Sequence, residues 1–309
     1  MVGLKLQTVV DNNLAKTANG KVADYIPALG QVAPKQLGVA LYDLEQNELE
    51  QAGDANVRFA IESISKVIVF LYAVKQLGLD EVTKHVGARQ TGFPFNSILN
   101  MEIEQARHPL NPFINAGAIE VASLIKPLAD RQPFEQIIMF AREICHDPQI
   151  TLNNEIFESE DRTGDTDRSL AYYLKANGIL QADVTASLTT YFKQCSMMVT
   201  AVSLANLGAV LANNGVKPWD QERLISGAAA TYAKSLMMTT GLYDESGTYS
   251  SIIGVPTKSG VGGGLMSAVP NRVGIGIFSP PLDKAGNSIA GLGVLEDLST
   301  ELKLDIFRY

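Results

Sequence analysis

The sequence predicts an α/β fold of the α+β kind: an antiparallel sheet lobe built from both termini and flanked by helices, with an inserted all-helical lobe. Three observations lead there. Runs of β-branched and apolar residues bounded by turn residues lie near the start, at 38–44 and 57–61, and near the end, at 264–268 and 272–278. From about Leu77 to Thr240 the apolar residues recur at helical spacing instead, punctuated by Gly178, Gly215 and Gly241. The 309 residues show no repeat, low-complexity tract or flexible linker, so both ends belong to one unit. The expected organisation is a single domain over 1–309, with an α/β lobe at about 1–66 plus 241–309 and a helical lobe at about 67–240.

In chain order, Leu4, Val9, Val10 and Leu14 predict an amphipathic helix that ends near Asn19-Gly20. Tyr25 stands before Ile-Pro27, which favours extended backbone; it could present its hydroxyl to a cleft or pack as an ordinary tyrosine. A strand at 38–44, a turn at 45–47 and a second strand at 57–61 lead into Ser63-Ile-Ser-Lys66. Residues 67–74 are apolar on every side, so a helix starting near Ser63 is wrapped in other structure and Lys66 is buried. A serine and a lysine three apart share a helix face, which makes them a candidate nucleophile and base. Burial favours the neutral amine that a base requires, and the helix start favours a developing alkoxide. An N-capping serine followed by a snorkelling lysine would leave the same four residues.

Further along, Gly78 reads as a C-terminal cap, 92–97 as a loop, and Asn115 as a helix start that would serve equally as a plain N-cap. Helices are expected at 134–144, 169–175, 184–193, 202–211 and 223–238. The polar run from Glu158 to Arg168 reads as a solvated loop. Strands are expected at 248–253, 264–268 and 272–278, the last two joined at Pro270-Asn271. The glycines of Lys258-Ser-Gly260-Val-Gly-Gly-Gly264 suggest backbone laid close against a neighbour, and 289–304 reads as a closing helix.

A net charge of −8 without a basic stripe argues against nucleic acid and leaves small molecules or proteins as partners. No apolar run suits a signal peptide or spans a bilayer, so no membrane contact and a cytoplasmic location are expected. Cys145 and Cys195 read as reduced thiols, and His85, His108 and His146 lack ligand spacing; neither metal nor cofactor is implied.

Ser63-x-x-Lys66 early and Lys258-Ser-Gly260 late form the paired signature of penicillin-recognising serine hydrolases, but their middle Ser-Asp-Asn or Tyr-x-Asn element is missing. Six collinear stretches resemble instead the bacterial serine-dependent glutaminases of the same superfamily. These are Gly20-Lys-Val-Ala-Asp-Tyr-Ile-Pro27, Glu62-Ser-Ile-Ser-Lys66, Asn111-Pro-Phe-Ile-Asn115-Ala-Gly-Ala118, Ser159-Glu160, Gly241-Leu-Tyr243-Asp244 and Pro256-Thr-Lys-Ser-Gly-Val-Gly-Gly-Gly264. The resemblance implies a β-lactamase-like fold and cofactor-free hydrolysis of L-glutamine to L-glutamate and ammonia. It makes Ser63 the nucleophile and Lys66 the base, and sets Tyr25 and Tyr243 at the reacting end with Tyr243 a proton shuttle. The N–H groups of Ser63 and Val261 become the oxyanion hole, Glu160 the partner of the substrate ammonium, and Asn115 and Tyr191 those of its carboxylate. It also implies a homo-oligomer, dimer or tetramer. Three residues depart from the family's pattern: Glu62 for glutamine, Thr166-Asp167 for arginine-asparagine, and Thr257 for alanine. Asp167 thereby stands where an asparagine contributes to the substrate pocket, and an ionised aspartate cannot donate to a carboxylate. The alternatives are another serine hydrolase of the superfamily and an amino-acid-binding protein with little turnover.

Overall fold

A computed structural model describes residues 5–104 and 107–308. Its centre is a five-stranded, fully antiparallel sheet in the order β2-β1-β8-β7-β6. The strands are β1 (Gly38–Asp43), β2 (Glu48–Gly53), β6 (Thr257–Gly260), β7 (Gly264–Val269) and β8 (Val273–Phe278), so the two ends of the chain do meet in one sheet. Three shorter strands, β3 (Phe59–Ala60), β4 (Thr151–Leu152) and β5 (Met197–Val199), form a second sheet in the order β3-β5-β4. The inserted portion is therefore not wholly helical as expected, because β4 and β5 lie inside it.

Strand periodicity decides what covers the large sheet. Val39 and Leu41 of β1 and Val273, Ile275 and Ile277 of β8 point to one face, where helices α1 (Leu6–Leu14) and α13 (Ile289–Leu302) supply Val9, Val10, Leu292 and Leu295. The alternate positions Gly274 and Gly276 face α10 (Ala201–Ala212). A Cβ on Gly276 would stand 1.9 Å from the carbonyl oxygen of Ala201, and one on Gly208 2.2 Å from that of Ser267. Helix and sheet thus touch backbone to backbone, which buries the sheet on both faces and explains its nearly continuous apolar strands.

The remaining helices are α2 (Ser65–Leu77), α3 (Leu79–His85), α4 (Leu99–Glu104), α5 (Asn115–Leu124), α6 (Pro133–Ile144), α7 (Asn154–Thr163), α8 (Asp165–Ala176), α9 (Val184–Cys195), α11 (Gly227–Thr240) and α12 (Ser246–Ile252). Helix α2 is buried from Ser65 through Val74 and ends at Gly78, whose φ of 87° only glycine adopts freely.

Several expectations need correction. The polar run 158–168 is not a loop: it spans α7 and α8, broken at Gly164, where a Cβ would lie 2.5 Å from Phe192 Cζ. Residues 248–253 belong to α12 rather than to a strand, and β2 is an additional edge strand. The helix expected from residue 223 begins at Gly227 behind an N-capping Ser226. The expectation at Leu4 lies outside the described residues. Among the described residues no helix is long and apolar enough to cross a membrane.

Candidate active site

Strand β3 delivers the chain into a single 3₁₀ turn, Glu62–Ile64, and α2 starts at Ser65. Ser63 therefore sits at a strand-to-helix junction, as expected. Glu62 takes a left-handed φ of 50°, an uncommon geometry for a residue with a Cβ. The glycines after Lys258 press against this junction: a Cβ on Gly260 would meet the Ile61 carbonyl oxygen at 2.6 Å, and one on Gly262 that of Ala60 at 2.1 Å. Only a side-chain-free hairpin brings Val261 beside Ser63, and both line one cavity of about 160 Å³.

Lys66 is 1 % exposed, and its Nζ donates to Asn115 Oδ1 at 2.7 Å. The rings of Phe95 and Tyr191 each lie 5.8 Å from that nitrogen. Burial lowers the lysine's pKa, against the pull of nearby acids including Asp167, Glu62 and Glu160. On the other side of the serine, the Tyr243 hydroxyl neighbours the Ser63 side chain and donates to the Ser259 carbonyl oxygen at 3.5 Å. Burial pushes this phenol upward, so it stays protonated. Lys258, fully buried, donates to the carbonyl oxygens of Ser259 (2.6 Å) and Gly241 (3.2 Å) and lies 4.7 Å from the centre of the Tyr243 ring. Burial and the neighbouring Lys66 depress its pKa strongly.

The rest of the cavity lining is largely polar. Asn115 opens α5 but is not its cap; Ile114 is, while Asn111 Oδ1 accepts the N–H groups of Phe113 and Ile114. That frees the Asn115 amide to bridge Lys66 and Asp167, donating through Nδ2 to Asp167 Oδ1 at 2.7 Å. Glu160 on α7 and Tyr191 on α9 are 9 % and 4 % exposed. Burial raises Glu160 to about 7, and its carboxyl neighbours that of Glu62, which burial also pushes well up. Burial also raises Asp167. Arg168 does not pair with it; its guanidinium binds Asp161 at 2.7 Å.

The cavity is lined by Ser63, Tyr25, Val261, Asn115, Glu160, Asp167 and Tyr191 together, and Lys66 and Tyr243 flank the serine. Tyr25 departs from its expected extended geometry: it lies in a turn, 60 % exposed at the rim. Phe95, Cys195 and the Lys258 amine were not anticipated as site groups. Phe95 sits in a loop with no motif signal, and Cys195 reads simply as one more buried position of α9; Lys258 was visible, within its motif, only as part of a signature. Among the described residues no cluster of His, Cys, Asp and Glu is arranged to hold a metal ion.

A family model described as Glutaminase matches residues 20–307. Glutaminase 1 of Clostridium perfringens is 55% identical over 305 residues, covering 99% of each chain. A crystal structure of a Bacillus glutaminase superposes with a TM-score of 0.89 at 36% identity over 98% of both chains. A Bacillus subtilis glutaminase in covalent complex with 5-oxo-L-norleucine, formed by reaction with 6-diazo-5-oxo-L-norleucine, does so with a TM-score of 0.86 at 36% identity, also over 98% of both. The fold is thus the β-lactamase-like arrangement, and the chain belongs to the glutaminase family.

Proposed function

We propose that this protein hydrolyses L-glutamine to L-glutamate and ammonia through an acyl-enzyme on Ser63. The observation that carries the reading is one cavity that gathers a serine, flanked by a buried lysine and a half-buried tyrosine, with carboxyl, amide and phenol groups. In this reading neutral Lys66 takes the Ser63 proton as Oγ bonds to the substrate's amide carbon. The N–H groups of Ser63 and Val261 receive the oxyanion, a contribution of about 3–4 kcal/mol per donor. Tyr243 passes a proton to the leaving nitrogen, the carbon–nitrogen bond breaks, and ammonia departs. Water then attacks the ester, and Ser63 recovers its proton as glutamate leaves. Glu160 pairs with the substrate ammonium, and Asn115 and Tyr191 hold its carboxylate. A cavity of about 160 Å³ suits a single amino acid better than a bicyclic β-lactam.

The test is ammonia release from glutamine together with the mass of the Ser63 peptide after 6-diazo-5-oxo-L-norleucine treatment. Wild type should turn over and carry the adduct; Ser63→Ala should do neither while keeping its fold. Hydrolysis by Ser63→Ala within about tenfold of wild type, a barrier change of only ~1.4 kcal/mol, would refute the assignment. An adduct without turnover would favour the binding-protein alternative. The family reading also carries a cytoplasmic homo-oligomer, dimer or tetramer; a monomeric mass in light scattering would remove the oligomer.

A further inference from the structure

The residue before the nucleophile is a carboxylic acid, and its surroundings fix the form it takes. Glu62 is 3 % exposed and lines the same cavity as Glu160. The two carboxyl groups are neighbours there, close enough to act on one another. Carboxylate oxygens only accept, so a direct bond between the two requires a proton. Glu62 Oε1 is buried, and among the described residues no N–H or hydroxyl donor reaches it, so an ionised Glu62 would be poorly solvated. Two further acids face it, Glu160 from α7 and Asp167 from α8, against Lys66 on α2; Tyr191 and Cys195 from α9, Tyr25 from the N-terminal turn and Tyr243 stand nearby as neutral groups and add no charge.

We propose that Glu62 is a positioning residue that keeps the proton it shares with Glu160, aiming Glu160 at the substrate ammonium while leaving no charge beside Ser63. This rests on the glutamine-hydrolysis reading. Burial, which pushes both carboxyl groups upward, acts in the same direction. The kinetic consequence has a definite sign. When the pair loses its proton, a negative charge stands next to the N–H that receives the oxyanion, and the two carboxylates repel. The turnover number therefore falls on the alkaline side. In Glu62→Gln an amide N–H donates to Glu160 in the proton's place and never ionises, so that fall disappears.

The experiment compares pH profiles of kcat and kcat/KM for wild type and E62Q with glutamine. One unit above the wild-type alkaline limb, wild type should have lost about tenfold in kcat while E62Q stays within about twofold of its maximum. Ionisation of the substrate's own ammonium is common to both enzymes and cancels in the comparison. Superimposable profiles would overturn the proposal. In parallel, wild-type enzyme labelled with ¹³C at the glutamate carboxyl carbons should show one glutamate still protonated at neutral pH. If every glutamate titrates in the ordinary acidic range the proposal fails, whether or not E62Q folds. Because this resonance is read without substrate, a wild type inactive on glutamine would sink the hydrolysis reading and leave the proton assignment to stand or fall separately.

Discussion

Replacing Asp167 by asparagine tests the polar lining of the cavity and the base at once. Asn115 is held on both sides, accepting from Lys66 at 2.7 Å and donating to Asp167 at 2.7 Å. An asparagine at 167 still offers a carbonyl oxygen to the Asn115 amide, so the bridge keeps its orientation and the change is chiefly the loss of one charge. On the substrate side, a carboxylate about 4 Å from ionised Asp167 meets a repulsion of ~4 kcal/mol at an effective dielectric of ~20, before screening. If a third of that survives, KM for glutamine falls about tenfold at neutral pH. The gain shrinks in acid, because burial raises Asp167 and wild type begins to shed the charge there. On the lysine side, Asp167 is one of the anions that favour charged Lys66. Across the intervening amide the two lie roughly 7 Å apart, which at the same dielectric is worth ~2 kcal/mol as an upper figure. Lys66 must be neutral to accept the serine proton, so removing the anion moves the acid limb of kcat/KM to lower pH, by about one unit. Both effects come from one coupled ammonia assay run from about pH 5 to 9. A KM that does not fall, together with an unmoved acid limb, would mean that Asp167 carries no charge in the working enzyme.

Two further substitutions probe the frame. Gly276→Ala inserts a methyl where the Ala201 carbonyl oxygen stands 1.9 Å from the ideal Cβ, so α10 must move off the sheet; a loss of about 1–3 kcal/mol in urea unfolding is expected, and a neutral result would contradict the backbone contact. Half-burial of Asp147 carries a cost, yet its fork with Arg58 (2.9 Å to each oxygen) and a 2.6 Å bond from Ser203 hold it below the usual aspartate range. That contribution is present above the unfolded aspartate value near ~3.9 and lost as the pH falls through the lower folded value. Asp147→Asn should thus lower stability by about 1–2 kcal/mol at neutral pH, Arg58 being partly exposed, and by progressively less in acid; equal losses at both ends would rule out the charge as the cause.

The parts of this molecule that were legible in its sequence are those where one physical demand dominates. The apolar run after Lys66 demanded a wrapped helix, the glycines at 260–264 demanded close backbone approach, and both appear as expected. The run 158–168 misled because α7 turns Ser159 and Glu160, not aliphatic residues, toward the interior beside Ile156. A buried polar face erases the apolar periodicity by which a helix is recognised. Residues 248–253 carry strand-like threonine, tyrosine and isoleucine, but too few to outweigh packing beneath α11, and β2 is an exposed edge strand without alternation. Among the site residues, spacing and burial mark Ser63 and Lys66 only as candidates, since an N-capping serine with a snorkelling lysine fits the same four residues; the resemblance supplied their roles. Spacing does not mark Tyr25, Tyr191 and Val261 at all: a tyrosine or valine has no spacing rule that separates a cleft from a core.

The position of β8 next to β1 has a consequence for how the protein comes into being. Gly38 is paired with Phe278, so the middle of the large sheet joins the earliest and latest parts of the polypeptide. Val261 follows Ser63 by 198 residues. At a ribosome adding about 5–20 residues per second, the serine is made roughly 10–40 s before the hairpin that completes its surroundings. Throughout that interval β1 has no inner neighbour, its apolar residues wait for a strand not yet made, and α10, once made, lacks the glycine strand it rests on. Hydrolytic competence is therefore gained late and abruptly in synthesis, and a chain stopped before residue 273 is left with a nucleophile but no central strand against which to hold it.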